Sequence, residues 1–446
     1  MDDSLGPNGK RDCRVTIRAT LMVFAALLTA PASLRAAPTK PAAPTNADCL
    51  ACHEDPSLEG GGGRKVAVAV PAFEASVHAQ AGASCVDCHA DLASATEFPH
   101  AEKLERVDCA ACHSDAVAQY QASVHGRAQD KTPGGLAATC TGCHGPAHQV
   151  RSSKDVQSPT YHFNLPKTCG RCHGDAETIR KAGIEVGDVT AAFQDSIHAK
   201  ALSESGLLVA PTCATCHGHH DIKRKTDEAS RVFKQNVPGT CGSCHAGIKN
   251  RYDEGVHAAA VRSGNIAAAV CTDCHTAHGI QAAHLPSWRL EVAKECGTCH
   301  DESIRTYRDG FHGQASKLGY TRVATCADCH GAHDILPKVD PRSRVSPSQR
   351  LATCQQCHPT ASVNFVKFDP HADPRDKERS AAVFYTARFM KILLGAVFAF
   401  FGVHTALWFP RELRARHRRA AGPGPGTDGE GSGAGKEPGG EKPHGA

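Results

Sequence analysis

Cys326-Ala-Asp-Cys329-His330-Gly-Ala-His333 holds two cysteines three apart, a histidine directly after the second, and another histidine three positions on. The first part is the haem c attachment signature. Its two sulfurs reach the two vinyl groups of one macrocycle and become thioethers, and the adjoining imidazole ligates the iron from one face. His333 is the right residue type to ligate another iron.

The motif recurs along the chain. It appears as Cys49/Cys52/His53, Cys85/Cys88/His89, Cys109/Cys112/His113, Cys140/Cys143/His144, Cys169/Cys172/His173 and Cys213/Cys216/His217. It continues as Cys241/Cys244/His245, Cys271/Cys274/His275, Cys296/Cys299/His300, Cys326/Cys329/His330 and Cys354/Cys357/His358. These eleven motifs take all but one of the 23 cysteines, and the last, Cys13, lies in a segment expected to be removed. A bare CxxC also fits a zinc knuckle or a thioredoxin-like redox pair. Neither requires histidine after the second cysteine. Histidine is roughly one residue in sixteen here, so eleven repetitions by chance are negligible.

Length alone suggests roughly three domains. Composition argues differently: aromatics are 5% and mean hydropathy is −0.34, too little side-chain material for a large conventional core. Residues 38–380 supply roughly 31 residues per motif, below the roughly 40 that a chain needs to fold without a metal or disulfide. The macrocycles are therefore expected to form most of the core. The net charge of +4 arises partly from arginines near the C-terminus and does not argue for nucleic acid.

Residues 1–37 read as a signal peptide, with Lys10, Arg11, Arg14 and Arg18 before a short apolar run and cleavage after Ala32, Ala36 or Ala37. Export to a bacterial periplasm follows, with every mature cysteine committed to haem rather than to disulfides. A Pro/Ala-rich linker then leads to the first motif, which stands alone.

An internal repeat follows. Each unit opens on an aromatic residue five positions before a histidine: Phe73/His78, Tyr120/His125, Phe193/His198, Tyr252/His257 and Tyr307/His312. Two motifs come after each opening. In four units the first motif carries a trailing histidine, giving His148, His220, His278 and His333; the first unit lacks one, and His100 is the nearest substitute. Phe368-Asp-Pro-His371 reads as a sixth opening with no motif behind it. Six opening and five internal histidines supply one distal candidate for each of eleven haems. His162, His219, His284, His404, His417 and His444 are left over.

Methionine narrows the ligation. The three methionines are Met1, Met22 and Met390, in the leader and the membrane segment, so Met/His ligation is excluded for the exported haems. Bis-histidine, six-coordinate, low-potential iron is expected, with no open position for substrate.

Local structure is weakly signalled. Short helices are expected over 114–125, 176–181 and 302–307, with one strand over 65–70. The expected fold class is mostly irregular with short α-helices, a multihaem cytochrome c fold built on haem-packed repeats, plus one C-terminal transmembrane helix. The apolar run 392–409 suffices for one span, which Pro410 is expected to end. Arg411, Arg414, Arg416, Arg418 and Arg419 follow and place that end in the cytoplasm. The expected layout is a periplasmic eleven-haem domain over 38–380, with units starting near 73, 120, 193, 252 and 307. A transmembrane helix over 385–410 and a disordered cytoplasmic tail over 411–446 complete it. His404, inside the span, is a candidate for contact with a quinone or a b-type partner.

The aromatic-x-x-Ser-x-His openings and the CxxCH-Gly-x-His motifs resemble those of bacterial membrane-anchored multihaem c-type cytochromes, including class III-like and octahaem proteins. The resemblance covers residues 48–371. The C-terminal Gly402-Val-His404-Thr-Ala-Leu-Trp408 is similar to membrane anchors that pair with a cytochrome b. It implies closely stacked haems carrying electrons from a quinol-oxidising membrane partner to periplasmic or outer-membrane acceptors, without catalysis of its own. No CxxCK motif is present, so a lysine-ligated catalytic haem is not supported. Two other readings stand beside this one. An oxidoreductase acting on nitrite, hydroxylamine or a sulfur oxyanion requires a five-coordinate haem, for which His53, His89 and His113 are the suspects. A zinc-bearing scaffold would have no visible absorption.

Overall fold

The computed structural model describes residues 42–131, 135–184 and 187–422. The signal-peptide reading, Cys13, His444 and the tail beyond 422 lie outside these residues. The chain divides into two compact units, Met1–Val70 with Gly82–Asp108 and Pro71–Ala81 with Cys109–Ala446. The described residues are helical and irregular with almost no sheet. Apart from the last helix, the α-helices run from four to thirteen residues.

In the first unit a two-residue ladder pairs Glu59 with Lys65 and Gly60 with Arg64, antiparallel. The strand expected over 65–70 reduces to its first residue. The following backbone serves the first motif instead: Val68 N–H donates to the His53 carbonyl, and the Val66 carbonyl accepts from the His53 ring.

In the second unit the helix expected over 114–125 becomes two, Ala110–Ala122 and Val124–Lys131. Ser123 breaks them because its backbone is extended and its Oγ accepts from Gly126 N–H, capping the second helix. The same serine recurs at Ser76 and Ser196, each 1% exposed and each capping the short helix that carries an opening histidine. In the last two units the position is Gly255 and Gly310. A side chain at Gly255 would lie 3.0 Å from the His333 carbonyl. Helix Ala176–Lys181 is as expected, and 302–307 lies within Asp301–Asp309.

The repeats are stitched in a fixed register. The residue after each opening Ser or Gly donates its N–H to a carbonyl two residues past a trailing histidine of the next unit. These bonds are Val77 to Val150, Val124 to Ile222, Ile197 to Ile280 and Val256 to Ile335, at 2.8–2.9 Å. Opening tyrosines bond within their own unit. The hydroxyls of Tyr120, Tyr252 and Tyr307 donate to Ala138, Ala269 and Ala324, each two residues before the first motif of its own unit. One opening therefore grips two motifs.

Three of the long irregular segments are also built to one plan. Turns three residues apart chain Ser152, Asp155, Ser158, Tyr161 and Asn164, and the same ladder runs from Arg224 to Asn236 and from Pro337 to Gln349. The buried serines Ser158, Ser230 and Ser343 sit at matching steps, and Asn164 and Asn236 each donate to two loop carbonyls. This repeat was legible in advance: Asp155, Asp227 and Asp340 each precede the first cysteine of a motif by the same interval. In the unit opened by Tyr252 the helix Pro286–Gly297 takes the segment's place.

Among the described residues the largest fully buried side chains are threonines and serines. An apolar protein core of ordinary size is not there. The last helix, Ala381–Ala420, is forty residues long with no buried residue, and it is the one described helix apolar and long enough to cross a membrane. Pro410 does not end it. A proline removes one N–H and displaces one carbonyl partner. The arginine-rich turns that follow are strong helix formers, tied by an Arg416–Glu412 ion pair, and they carry the helix on to Ala420. Residues 411–420 are thus helical rather than part of an irregular tail.

Candidate haem-binding sites

First motifs of the repeats start a helix and the second motifs of the later four repeats end one, while Cys109/Cys112/His113 of the first repeat opens the helix Ala110–Ala122. Cys140–His144, Cys213–His217, Cys271–His275 and Cys326–His330 are single helical turns. One turn brings cysteines three apart to the same side and seats the histidine beside them. The residue before the second cysteine often caps that turn. Asp328 Oδ2 accepts from Thr325 N–H at 2.7 Å, and Asp87 and Asp273 do the same for Ser84 and Val270.

Each turn is then stopped by a sharp change of direction. Gly145, Gly218 and Gly331 follow their motif histidines with φ of 87–88° and extended ψ, a region open to glycine alone without strain. The fourth unit places Thr276 there at φ 63° and ψ 175°. Thr276→Gly is expected to stabilise the protein by about 1 kcal/mol. Unfolding by guanidinium, followed through visible absorption, checks this; a lower midpoint would show that the Thr276 side chain makes a compensating contact.

The polypeptide by itself leaves many of the attachment cysteines uncovered. Nine of them are exposed: Cys52, Cys88, Cys109, Cys112, Cys140, Cys172, Cys244, Cys299 and Cys357. None of the other thirteen described cysteines is fully buried either. Position within the motif explains most of the pattern. Cys52 is the second cysteine of the lone motif, and Cys88 that of the first unit's first motif. Cys112, Cys172, Cys244, Cys299 and Cys357 are the second cysteines of second motifs, and the last four of them lie at or just past a helix end. By contrast Cys143, Cys216, Cys274 and Cys329, in the first motifs of the later units, are part-buried against the motif that comes next.

Ten ring pairs define the candidate sites. Each sets a motif histidine opposite one of the other candidates, with ring centres 6.0–6.3 Å apart. The lone motif's His53 faces His100. Opening histidines face the second motif of their own unit: His78 and His113, His125 and His173, His198 and His245, His257 and His300, His312 and His358. Trailing histidines face the first motif of the preceding unit: His220 and His144, His278 and His217, His333 and His275. His89 lies in the first unit of the structure and His148 in the second.

Two sequence expectations change here. His371 is not a sixth opening. It lies on no helix and faces His330, a first motif, so it takes the place of a trailing histidine for the last unit. His100 does not serve the first repeat; it faces the lone motif.

The spacing suits metal. A metal–imidazole bond of about 2 Å on each side, with about 1 Å from each nitrogen to its ring centre, separates two axial rings by about 6 Å. Direct ring stacking would close to less than this. Where the second ring nitrogen is bonded, it is Nδ1. His53 bonds the Val66 carbonyl at 2.9 Å and His100 the Ala101 carbonyl at 2.8 Å. His371 bonds Thr306 Oγ1 at 3.0 Å, while the Thr306 hydroxyl can donate to the Glu302 or Ser303 carbonyl. Each such bond fixes the tautomer that leaves Nε2 free for iron. Sequence reading missed Thr306, because nothing in its neighbourhood announces a bond to a residue so far along the chain. The leftover His162 behaves oppositely, committing Nε2 to the Ala210 carbonyl at 2.8 Å.

Burial, and then the facing imidazole, lower the pKa of His125, His144, His198, His217, His275 and His330. Neutral imidazoles with free lone pairs are what ligation requires. Trp288 stacks on the His275 ring at 5.1 Å and holds its plane.

Neighbouring motifs touch. Within the second unit the first-cysteine sulfurs meet at Cys169–Cys213, Cys241–Cys271 and Cys296–Cys326, and within the first unit at Cys49–Cys85. The intervening links lie close enough for their charges to interact: Cys143 with Cys172, Cys216 with Cys244, Cys274 with Cys296, Cys329 with Cys354. Every step from the fourth motif to the eleventh is thereby a near neighbour.

A family model described as the doubled CXXCH motif matches residues 261–305, which hold two complete motifs, Cys271–His275 and Cys296–His300. A cytochrome c-type protein, NrfB of Escherichia coli, is 25% identical over 142 residues, covering 29% of this chain and 70% of that protein. No solved structure matches. The motifs and these matches together support a multihaem c-type cytochrome. The CxxCH motifs indicate covalently attached haem c with iron.

Proposed function

We propose that the chain is an eleven-haem electron carrier anchored in the inner membrane and facing the periplasm. It would take electrons from a quinol-oxidising membrane partner, such as a cytochrome b, and pass them to periplasmic or outer-membrane acceptors. The ring pairs at 6.0–6.3 Å carry this reading. An iron with an imidazole on both faces has no position for substrate, so it can only gain and lose electrons. Bis-histidine ligation also keeps potentials low, in a chain with no methionine outside its leader and its last helix.

Proximity supplies the second support. Motif sulfurs in contact bring macrocycle edges together, which suits transfer from one group to the next. The protein's part is to choose ligands, fix spacing and exclude reactive access, while the haem supplies the one-electron chemistry. Placement of the haem domain outside and of the arginine-rich helix end inside follows from charge asymmetry. His53 and His113, two suspects for an open-coordinate haem, each face another imidazole, which counts against the reductase reading.

The test is reduction in membrane vesicles. Addition of a lipid-soluble quinol is expected to reduce the haems when a quinol-oxidising partner is present and not in its absence. Turnover of nitrite, hydroxylamine or a sulfur oxyanion by the purified chain would overturn the carrier reading.

A further inference from the structure

Among the described residues, only one haem site draws a ligand from the segment that leads directly into the membrane helix. His371 stands ten positions before Ala381, where that helix begins. The intervening residues are not a loose tether. Arg375 pairs with Asp309 at 2.8 Å, Arg379 with Glu302 at 2.8 Å, and Arg305 with Asp373 at 3.2 Å. Asp373 is 3% exposed, and it also accepts from Arg375 N–H, while its own N–H donates to Ser380 Oγ. The three ion pairs join residues 371–380 to one helix, Asp301–Asp309, which also supplies Thr306 to the His371 ring. Lys377 lies over the Tyr385 ring, joining the first turns of the membrane helix to the same segment.

Exposed ion pairs contribute little singly. Here several share a buried aspartate and act on one short segment, and such networks hold geometry better than isolated pairs. About eleven helical residues separate Ala381 from the apolar run that starts at Ile392, a rise of about 16 Å. Tyr385, Arg388 and Lys391 on that stretch are residue types that settle at a membrane surface.

We propose that His330 and His371 hold the haem at which electrons arrive from the membrane, and that the 371–380 clamp is the device that positions it there. This rests on the carrier reading above and names its receiving end. Each quinol oxidised by the membrane partner yields two electrons, taken singly by ferric haem, and two protons released to water at the membrane surface. From this position the chain of neighbouring motifs runs one way toward the fourth and the other way to the eleventh.

The test uses full-length protein in vesicles of the source organism's membrane, with duroquinol as reductant. His371→Gly opens one iron, seen as a high-spin species, which is reduced and capped with carbon monoxide while the other haems are reoxidised. Duroquinol is then expected to leave the remaining haems oxidised, while dithionite still reduces them. His125→Gly, capped in the same way at a site remote from the clamp, is expected to leave most haems reducible by duroquinol. Arg375→Ala with Arg379→Ala keeps every ligand and is expected to slow duroquinol reduction with the low-spin spectrum unchanged. Full-rate reduction of capped His371→Gly, or of the double arginine variant, overturns the proposal. If the unaltered protein is not reduced by duroquinol, the carrier reading itself fails.

Discussion

Replacing His333 by glycine is expected to turn one haem, the one attached at Cys271 and Cys274, into a high-spin species that binds carbon monoxide. His333 and the motif histidine His275 face each other at 6.1 Å, yet they belong to successive repeats. The fold should survive the change, because the backbone bond from Val256 N–H to the Ile335 carbonyl and the Tyr252 hydroxyl bond to Ala269 do not involve the imidazole. Glycine also leaves the His333 carbonyl in place against Gly255. Roughly a tenth of the haem should therefore change spin state, with the rest untouched. Electron paramagnetic resonance and carbon monoxide difference spectra read this directly. A wholly low-spin spectrum in the variant would show that another ligand, not His333, sits opposite His275.

That expectation depends on a pairing rule which only the three-dimensional arrangement supplies. The number of ligands was legible: opening and trailing histidines recur with their motifs, and spacing alone marks them. Their assignment was not. Spacing marks a trailing histidine such as His148 as a ligand for another iron than that of His144, but does not say which one. The left-handed glycines after the motifs explain why trailing histidines leave, since Gly218 and Gly331 turn the chain away before the next imidazole can reach back. His371 was misread for a related reason. Its Phe-x-x-His context imitates an opening, while its role is set by Thr306 and the arginine clamp, both remote in sequence. The exposure of Cys112, Cys299 and Cys357 was equally illegible, because every CxxCH looks alike and only the tertiary arrangement decides which sulfurs a neighbouring motif covers.

Regular structure was legible only where it was local. Helix Ala176–Lys181 begins on an Asp175 cap and reads from sequence, whereas the break at Ser123 depends on a bond from Val124 to Ile222 in another unit. Pro410 shows the limit of breaker rules: a proline flanked by arginines and glutamate bent the expectation more than it bent the element's extent.

The second large effect concerns the anchor. Truncation after Ser380 is expected to move the haem domain from the membrane fraction to the soluble one with its absorption unchanged. Ile392, Phe398, Phe400, Phe401, Val403 and Leu407 are each more than half exposed on the last helix. Burying a side chain of that size is worth about 1.5–3 kcal/mol, so the helix as a whole strongly favours lipid over water. No residue of it is buried, so its removal opens no core, and the ties of Arg375, Arg379 and Ser380 all remain. Fractionation of cells expressing both forms checks this. Retention of the truncated form in the membrane would mean that another surface holds it there.

The measurement that bears most directly on the account is a haem count with spin state on purified protein. Pyridine haemochrome quantification, the oxidised and dithionite-reduced spectra, and addition of carbon monoxide together suffice. About eleven haems per chain, all low-spin and indifferent to carbon monoxide, is the predicted result. A high-spin fraction that binds carbon monoxide in the unaltered protein would contradict the carrier reading, and a colourless protein would contradict the haem assignment altogether.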